Sequence, residues 1–296
     1  MLPVKREDSP TTTKILLRSL RAVEHLPIDY SDALFAHYPS LKLGVTKSVE
    51  YFGPQLARLA EDVIMQSLPG LSDWVITAPS YNVLPGGPNL LCSYIYEELT
   101  ARLAGSATLS LAYLRDQTAG QEISDSESLH KYHNYSTFTK QERTELYQQT
   151  PEPLFEPGDF QGRSVIFVND MRVTGSHERY IQQALAKVEA AQICWLYILK
   201  INPAIAEAQP ELEYAINHSR LAGFEEFAEL LATHHLQYTS RCITRILSYE
   251  LSQLKKLLAM LDNDRKKTIL ELATAEGRFS GEYFREKIGL LRSSIG

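Results

Sequence analysis

Residues 165–177, Val-Ile-Phe-Val-Asn-Asp-Met-Arg-Val-Thr-Gly-Ser-His, decide how this chain folds. Gly162-Arg163 leads into them, and Ser164-Val165-Ile166-Phe167-Val168 is an apolar run of the kind that forms a parallel strand buried on both faces. The run ends in the polar pair Asn169-Asp170, crosses a small-residue loop through Met171-Arg172-Val173-Thr174-Gly175-Ser176, and enters a helix expected from about His177 to Ala190. A second buried strand is expected over Ile193–Leu199. Strand, loop, helix and strand within about 35 residues make a βαβ crossover, with both strands parallel in one sheet.

The same segment carries the chemistry. In open α/β sheets, ligands bind outside the carboxyl ends of the strands. A Thr-Gly-Ser loop at a helix start offers backbone N–H groups and hydroxyls to an anion, and Gly175 lets the backbone approach closely. A carboxylate just before that loop would repel a phosphate. It suits a neighbouring group with hydroxyls, such as a ribose, or a Mg²⁺ ion between the two. The expectation is a sugar-phosphate site, with the anion at the helix start and the diol at Asp170. Alone, Asn169-Asp170 reads as a strand-end turn with a helix cap; the buried strand before it and Thr-Gly-Ser after it favour a ligand site.

Working outward, residues 1–13 read as a flexible tail and 14–70 as a helical segment, with helices over Lys14–Leu26 and Val49–Ser67. Residues 71–202 read as the α/β core. Its first strand is Trp74–Ala78, followed by the turn-rich Ser80 to Pro88, a helix from Asn89 to Leu103 and a strand from Ala107 to Tyr113. From Arg115 to Pro157 polar residues dominate, with one short helix near Lys140–Gln148; so long a polar stretch within a domain is usually functional or mobile. Residues 203–296 read as all helix.

Composition bounds the class. The chain has 296 residues, 44% hydrophobic and 22% charged, which suits a globular protein and excludes a chain disordered throughout. Thirty basic against 36 acidic residues give a net charge of −6, unfavourable for a general nucleic-acid binder. Cys92, Cys194 and Cys242 are too scattered for a disulfide framework or a zinc site. The amino terminus has no apolar signal region, and the most apolar stretch, about Ala190 to Leu199, is too short for a membrane span. The expected setting is cytoplasmic.

The 165–177 segment resembles the phosphoribosyl-pyrophosphate (PRPP) binding motif of type I phosphoribosyltransferases. That motif has four apolar strand residues, two acids, two further residues, a Thr-Thr-Gly or Asp-Thr-Gly turn and a hydroxyl. Three positions depart from it: Asn169 replaces the first acid, Val173 the first turn residue and His177 the final hydroxyl. Val173 excludes a general base there, whereas His177 can still donate to a phosphate when protonated or in the right tautomer. The resemblance implies a type I phosphoribosyltransferase-like parallel sheet flanked by helices, here with an added all-helical carboxy-terminal region. It implies ribose hydroxyls on Asp170, with Asn169 beside it, and a 5′-phosphate cradled by the turn that follows Met171 and Arg172, Val173 to His177. Diphosphate would contact Pro79-Ser80-Tyr81-Asn82. The long helical additions also resemble the branch of this family found in bacterial tellurite-resistance and stress operons.

The activity so implied is transfer of a phosphoribosyl group from Mg²⁺-bound PRPP to a nitrogenous, nucleobase-like acceptor, or the reverse. Mg²⁺ is the expected cofactor, and a homodimer is expected by resemblance alone. Arg115 is a candidate for reaching the diphosphate or the transition state, weighed evenly against an ordinary loop cation. The polar stretch would hold a closing loop. His130 and His133 within it have helical spacing but no supporting ligands, and read as loop residues. The leucines from Leu247 to Leu261 read as a helix packed on its own domain. The competing functional reading is a non-catalytic module that senses PRPP or a nucleotide and binds a partner through its helices. A flavodoxin-like receiver would need acids at other strand ends.

Overall fold

The computed structural model describes residues 13–67, 70, 72–113, 135–150 and 155–296. Among these residues, five strands form one all-parallel sheet: β1 (Lys14–Val23), β2 (Asp73–Thr77), β3 (Thr108–Leu111), β4 (Ser164–Arg172) and β5 (Gln192–Ile201), in the spatial order β1-β5-β4-β2-β3. Successive side chains of a strand point to opposite faces. Ile166 and Val168 of β4, with Cys194, Leu196 and Ile198 of β5, therefore enter one core. Val165, Phe167, Ile193, Trp195 and Tyr197 enter the other. Both faces are covered, which is why these strands read as continuous apolar runs.

Helices α1 (Ala33–Leu43), α2 (Thr46–Ser67) and α3 (Gly87–Arg102) cover the first face. The second lies under α6 (Ser176–Lys187), whose Ile181, Ala184 and Leu185 point inward, and under Phe160 of the one-turn α5 (Pro157–Phe160). Between α3 and α5 in sequence, α4 (Lys140–Gln149) packs on α6.

Two expectations are corrected. Lys14–Leu26 is not a helix: Lys14–Val23 is an edge strand parallel to β5, with register from Lys14↔Gln192 to Val23↔Ile201. Leu16 and Leu20 lie four apart, which places them on one side of a helix and equally on one face of a strand. The unpaired backbone edge of the ten-residue β5 decides between the two. Second, β4 does not stop at Val168. It continues through Asn169-Asp170-Met171-Arg172 because β5 is long enough to pair with it out to Arg172↔Lys200.

Beyond β5 the chain is helical: α7 (Pro203–Ala208), α8 (Leu212–His218), α9 (Phe224–Thr233), α10 (Ser240–Ser248), α11 (Leu251–Met260), α12 (Asn263–Glu276) and α13 (Glu282–Ser293). Phe227, Ile243, Leu247, Leu254, Leu257, Phe284 and Leu291 build a third core. The leucine-rich stretch is thus two helices buried within this chain. The helical region is tied to the sheet domain through Gly44. Its carbonyl accepts from Gln237 N at 2.8 Å, while Thr46 N donates to the His235 carbonyl at 3.0 Å. At Gly44 a Cβ would fall 1.9 Å from the Gln237 carbonyl oxygen, and φ is +87°, so only glycine fits. Among the described residues, no helix is long and apolar enough to cross a membrane.

Candidate functional site

From β2 the chain proceeds outward to β3, and from β4 in the opposite direction to β5. The carboxyl ends of β2 and β4 thus flank a topological switch point, where open α/β sheets form a crevice. A cavity of about 260 Å³ lies there. All nine residues from Asn169 to His177 line it, as does Pro79. Ser80, Tyr81 and Asn82 lie outside its lining. Asn82 is turned to the helical region, donating Nδ2 to the Glu276 carbonyl at 2.9 Å. The Glu276 carboxylate, buried at 1% exposure, accepts from Val83 N and Leu84 N at 3.0 and 2.9 Å. Arg115, His130 and His133 lie outside the described residues.

The turn is shaped by Gly175, with φ +72°, which brings the backbone into the first turn of α6. Thr174 Oγ1 donates to Ser176 Oγ at 3.1 Å, and Arg179 Nη2 also donates to Ser176 Oγ at 3.1 Å. Arg172, at the end of β4, binds Glu178 of α6 through Nε at 2.5 Å, so one ion pair spans the turn. Tyr197 of β5 donates its hydroxyl to the same carboxylate at 3.3 Å. Hydroxyls, a guanidinium and a helix start together suit an anion.

Asp170 is buried, and its carboxylate is ion-paired with Lys42 from the last turn of α1. Its Oδ1 also accepts from Met171 N at 2.7 Å. Asn169 is committed to local bonds: its Oδ1 accepts from Asp170 N at 2.9 Å, and its Nδ2 lies 3.3 Å from His177 Nδ1. The amide donates at that contact, so Nδ1 is the acceptor and Nε2 carries the proton. Desolvation pulls the His177 pKa down to about 4, against an upward pull from Asp170; the ring is therefore neutral near pH 7.

The described end of the polar stretch supplies the remaining wall. Tyr135, Arg143 and Tyr147 line the cavity with Glu213 of α8 and Arg241 of α10. Arg143 is ion-paired to Glu213 at 2.7 Å, with both side chains almost fully buried, and its guanidinium lies over the Tyr135 ring at 4.8 Å. Tyr135 and Tyr147 share a hydroxyl contact of 2.7 Å. Among the described residues, the lining holds four cations (Lys42, Arg143, Arg172, Arg241) and three carboxylates (Asp170, Glu178, Glu213). Three ion pairs use all the carboxylates. Arg241 is left without a partner among the described residues.

Sequence reasoning missed Lys42, Glu213 and Arg241. None belongs to a motif, and each reaches the cavity only because its helix packs at the strand ends. Tyr135, Arg143 and Tyr147 had a collective signal, since they fall in the polar stretch whose length marked it as unusual.

The family model of PRTase ComF-like proteins matches residues 35–291, most of the chain, and the protein belongs to that family. Membership indicates phosphoribosyl transfer as the general chemistry and a PRPP-type substrate. It agrees with the five-stranded parallel sheet flanked by helices. No curated protein matches the chain.

Proposed function

We propose that the cavity binds PRPP and that the protein transfers its phosphoribosyl group to a nitrogenous acceptor, releasing diphosphate. The observation that supports this most is the meeting of Asp170 with the Thr174-Gly175-Ser176 turn in one cavity at the switch point. The turn and the start of α6 take the 5′-phosphate, while Asp170 accepts from the ribose hydroxyls. Neutral His177 donates through Nε2–H. In the transfer, a nitrogen lone pair forms the bond to the anomeric carbon as the bond from that carbon to the diphosphate oxygen breaks. Diphosphate leaves with the bonding electrons, and the nitrogen's proton passes to it or to water. The charge that develops on the sugar is cationic, so Asp170 and its neighbours act electrostatically, and binding supplies alignment.

The described residues do not form a protein-held Mg²⁺ site. Asn169 is neutral, Asp170 is neutralised by Lys42, and no three His, Cys, Asp or Glu side chains cluster. The cation that the structure places on the Asp170 carboxylate is the Lys42 ammonium. Magnesium enters this proposal only as the counter-ion that the substrate's diphosphate brings with it.

Isothermal titration of PRPP, followed by a pyrophosphate-release assay over a panel of nucleobases, tests the reading. Saturable binding with turnover supports it. Binding without turnover on any acceptor supports a PRPP-sensing module instead, the reading favoured by Asn169 and Val173. Absence of binding by folded protein refutes both.

A further inference from the structure

A smaller chamber adjoins the cavity and shares Lys42 and Arg241 with it. Asn217, His218 and Arg245 form its polar wall, and among the described residues no carboxylate lines it. Arg245 is engaged: Nη2 donates to the Gly223 carbonyl at 2.9 Å, Nε to the Tyr249 hydroxyl at 3.2 Å, and the guanidinium lies over the Phe227 ring. Lys42 is engaged by Asp170. His218 Nδ1 lies 2.9 Å from the Tyr214 carbonyl, so it donates there. Arg241 has no partner among the described residues. Asn217 is 5% exposed, and among the described residues neither its Nδ2 nor its Oδ1 has a partner. A buried amide left unpaired costs about 1–3 kcal/mol per group. Its retention in a cation-lined chamber therefore points to an occupant that is anionic and offers a hydrogen-bond donor.

Size narrows the occupant further. The chamber has about 40 Å³ of room, more than the about 10–15 Å³ that a single water needs. A carboxylate suits it, with the ring extending toward the larger cavity.

We propose that the chamber seats the carboxylate of the acceptor, which is a planar nitrogen heterocycle bearing a ring carboxylate. Arg241 pairs with the carboxylate, Asn217 Nδ2 donates to it, and Asn217 Oδ1 accepts from a ring N–H. This inference rests on the phosphoribosyl reading and specifies the acceptor class for that same site.

The test is calorimetric titration of two matched probe pairs, 6-carboxyuracil against uracil and imidazole-4-carboxylate against imidazole, into the full chain saturated with PRPP. At least one carboxylated probe should bind ten times more tightly than its uncharged counterpart. Arg241→Gln should remove that preference, and Asn217→Ser should weaken the carboxylated probe at least fivefold. Arg241 is only partly buried and unpaired, so its variant folds even where Asn217→Ser does not. Equal binding within both pairs, or no binding of any probe by a PRPP-saturated chain, overturns the carboxylate assignment and leaves the PRPP site standing. Failure of the wild type to bind PRPP overturns the phosphoribosyl reading itself.

Discussion

Lys42 on α1 forms a nearly buried ion pair with Asp170 of β4, so the carboxylate expected to hold ribose already has a cation against it. If that ammonium does the work of a metal, PRPP binding should survive a chelator. We expect titrations in EDTA and in Mg²⁺ to give affinities within about threefold. Asp170→Asn should weaken binding more than tenfold, about 1.4 kcal/mol. Complete loss of wild-type binding in EDTA would contradict this role for Lys42.

His177 should make the fold acid-sensitive. Burial disfavours the imidazolium, so the folded chain resists protonation until about pH 4, whereas the unfolded chain takes up a proton near 6.5. Between those values the unfolded state binds more protons. The contribution to stability is therefore complete above about 6.5 and is lost as pH falls toward 4. Between pH 7 and pH 5 this one group should cost about 2 kcal/mol. Urea denaturation of wild type and His177→Gln at both pH values checks it, because the difference between the two proteins isolates this group. Parallel pH dependence in both would remove His177 from the account.

The pair Arg143–Glu213 joins α4 to α8 almost without solvent. Breaking such a pair from one side leaves a buried charge, and Glu213→Ala should destabilise by about 3–5 kcal/mol. Replacing both partners, Arg143→Met with Glu213→Leu, should recover most of that loss, since buried pairs pay heavily for desolvation. Chemical denaturation of the three variants decides; an additive double mutant would show that the two side chains do not act as a pair.

Two glycines separate backbone strain from ligand contact. Gly175 and Gly162 have φ of +72° and +69°, so Ala at either should cost about 1–2 kcal/mol of stability. A Cβ at Gly175 would come 3.1 Å from Arg172 Nη2 and narrow the turn, whereas at Gly162 none of the described residues lies within 4 Å. Only Gly175→Ala should weaken PRPP binding, by tenfold or more in titration. Equal effects of the two on binding would mean that the turn is not the phosphate site.

The parallel core was legible in the sequence because a strand covered on both faces has to be apolar throughout. Ser164–Val168 and Ile193–Leu199 could hardly be anything else. The turn was legible because its residue types, Thr-Gly-Ser before a helix, set their own backbone geometry. The first strand was not legible, since spacings of four serve helix and strand alike and only the open edge of β5 settles the choice.

Neighbours along the chain were enough to place the βαβ unit, Asp170 and the turn that follows it. Tertiary structure alone decided what those residues face. Lys42, Glu213 and Arg241 come from helices whose apolar sides dictate their packing and whose charged residues are unremarkable along the sequence. Packing these helices at the carboxyl ends of β2 and β4 places one cation on Asp170 and leaves another unpaired. Such pairings arise from proximity in space, and no local sequence pattern encodes them.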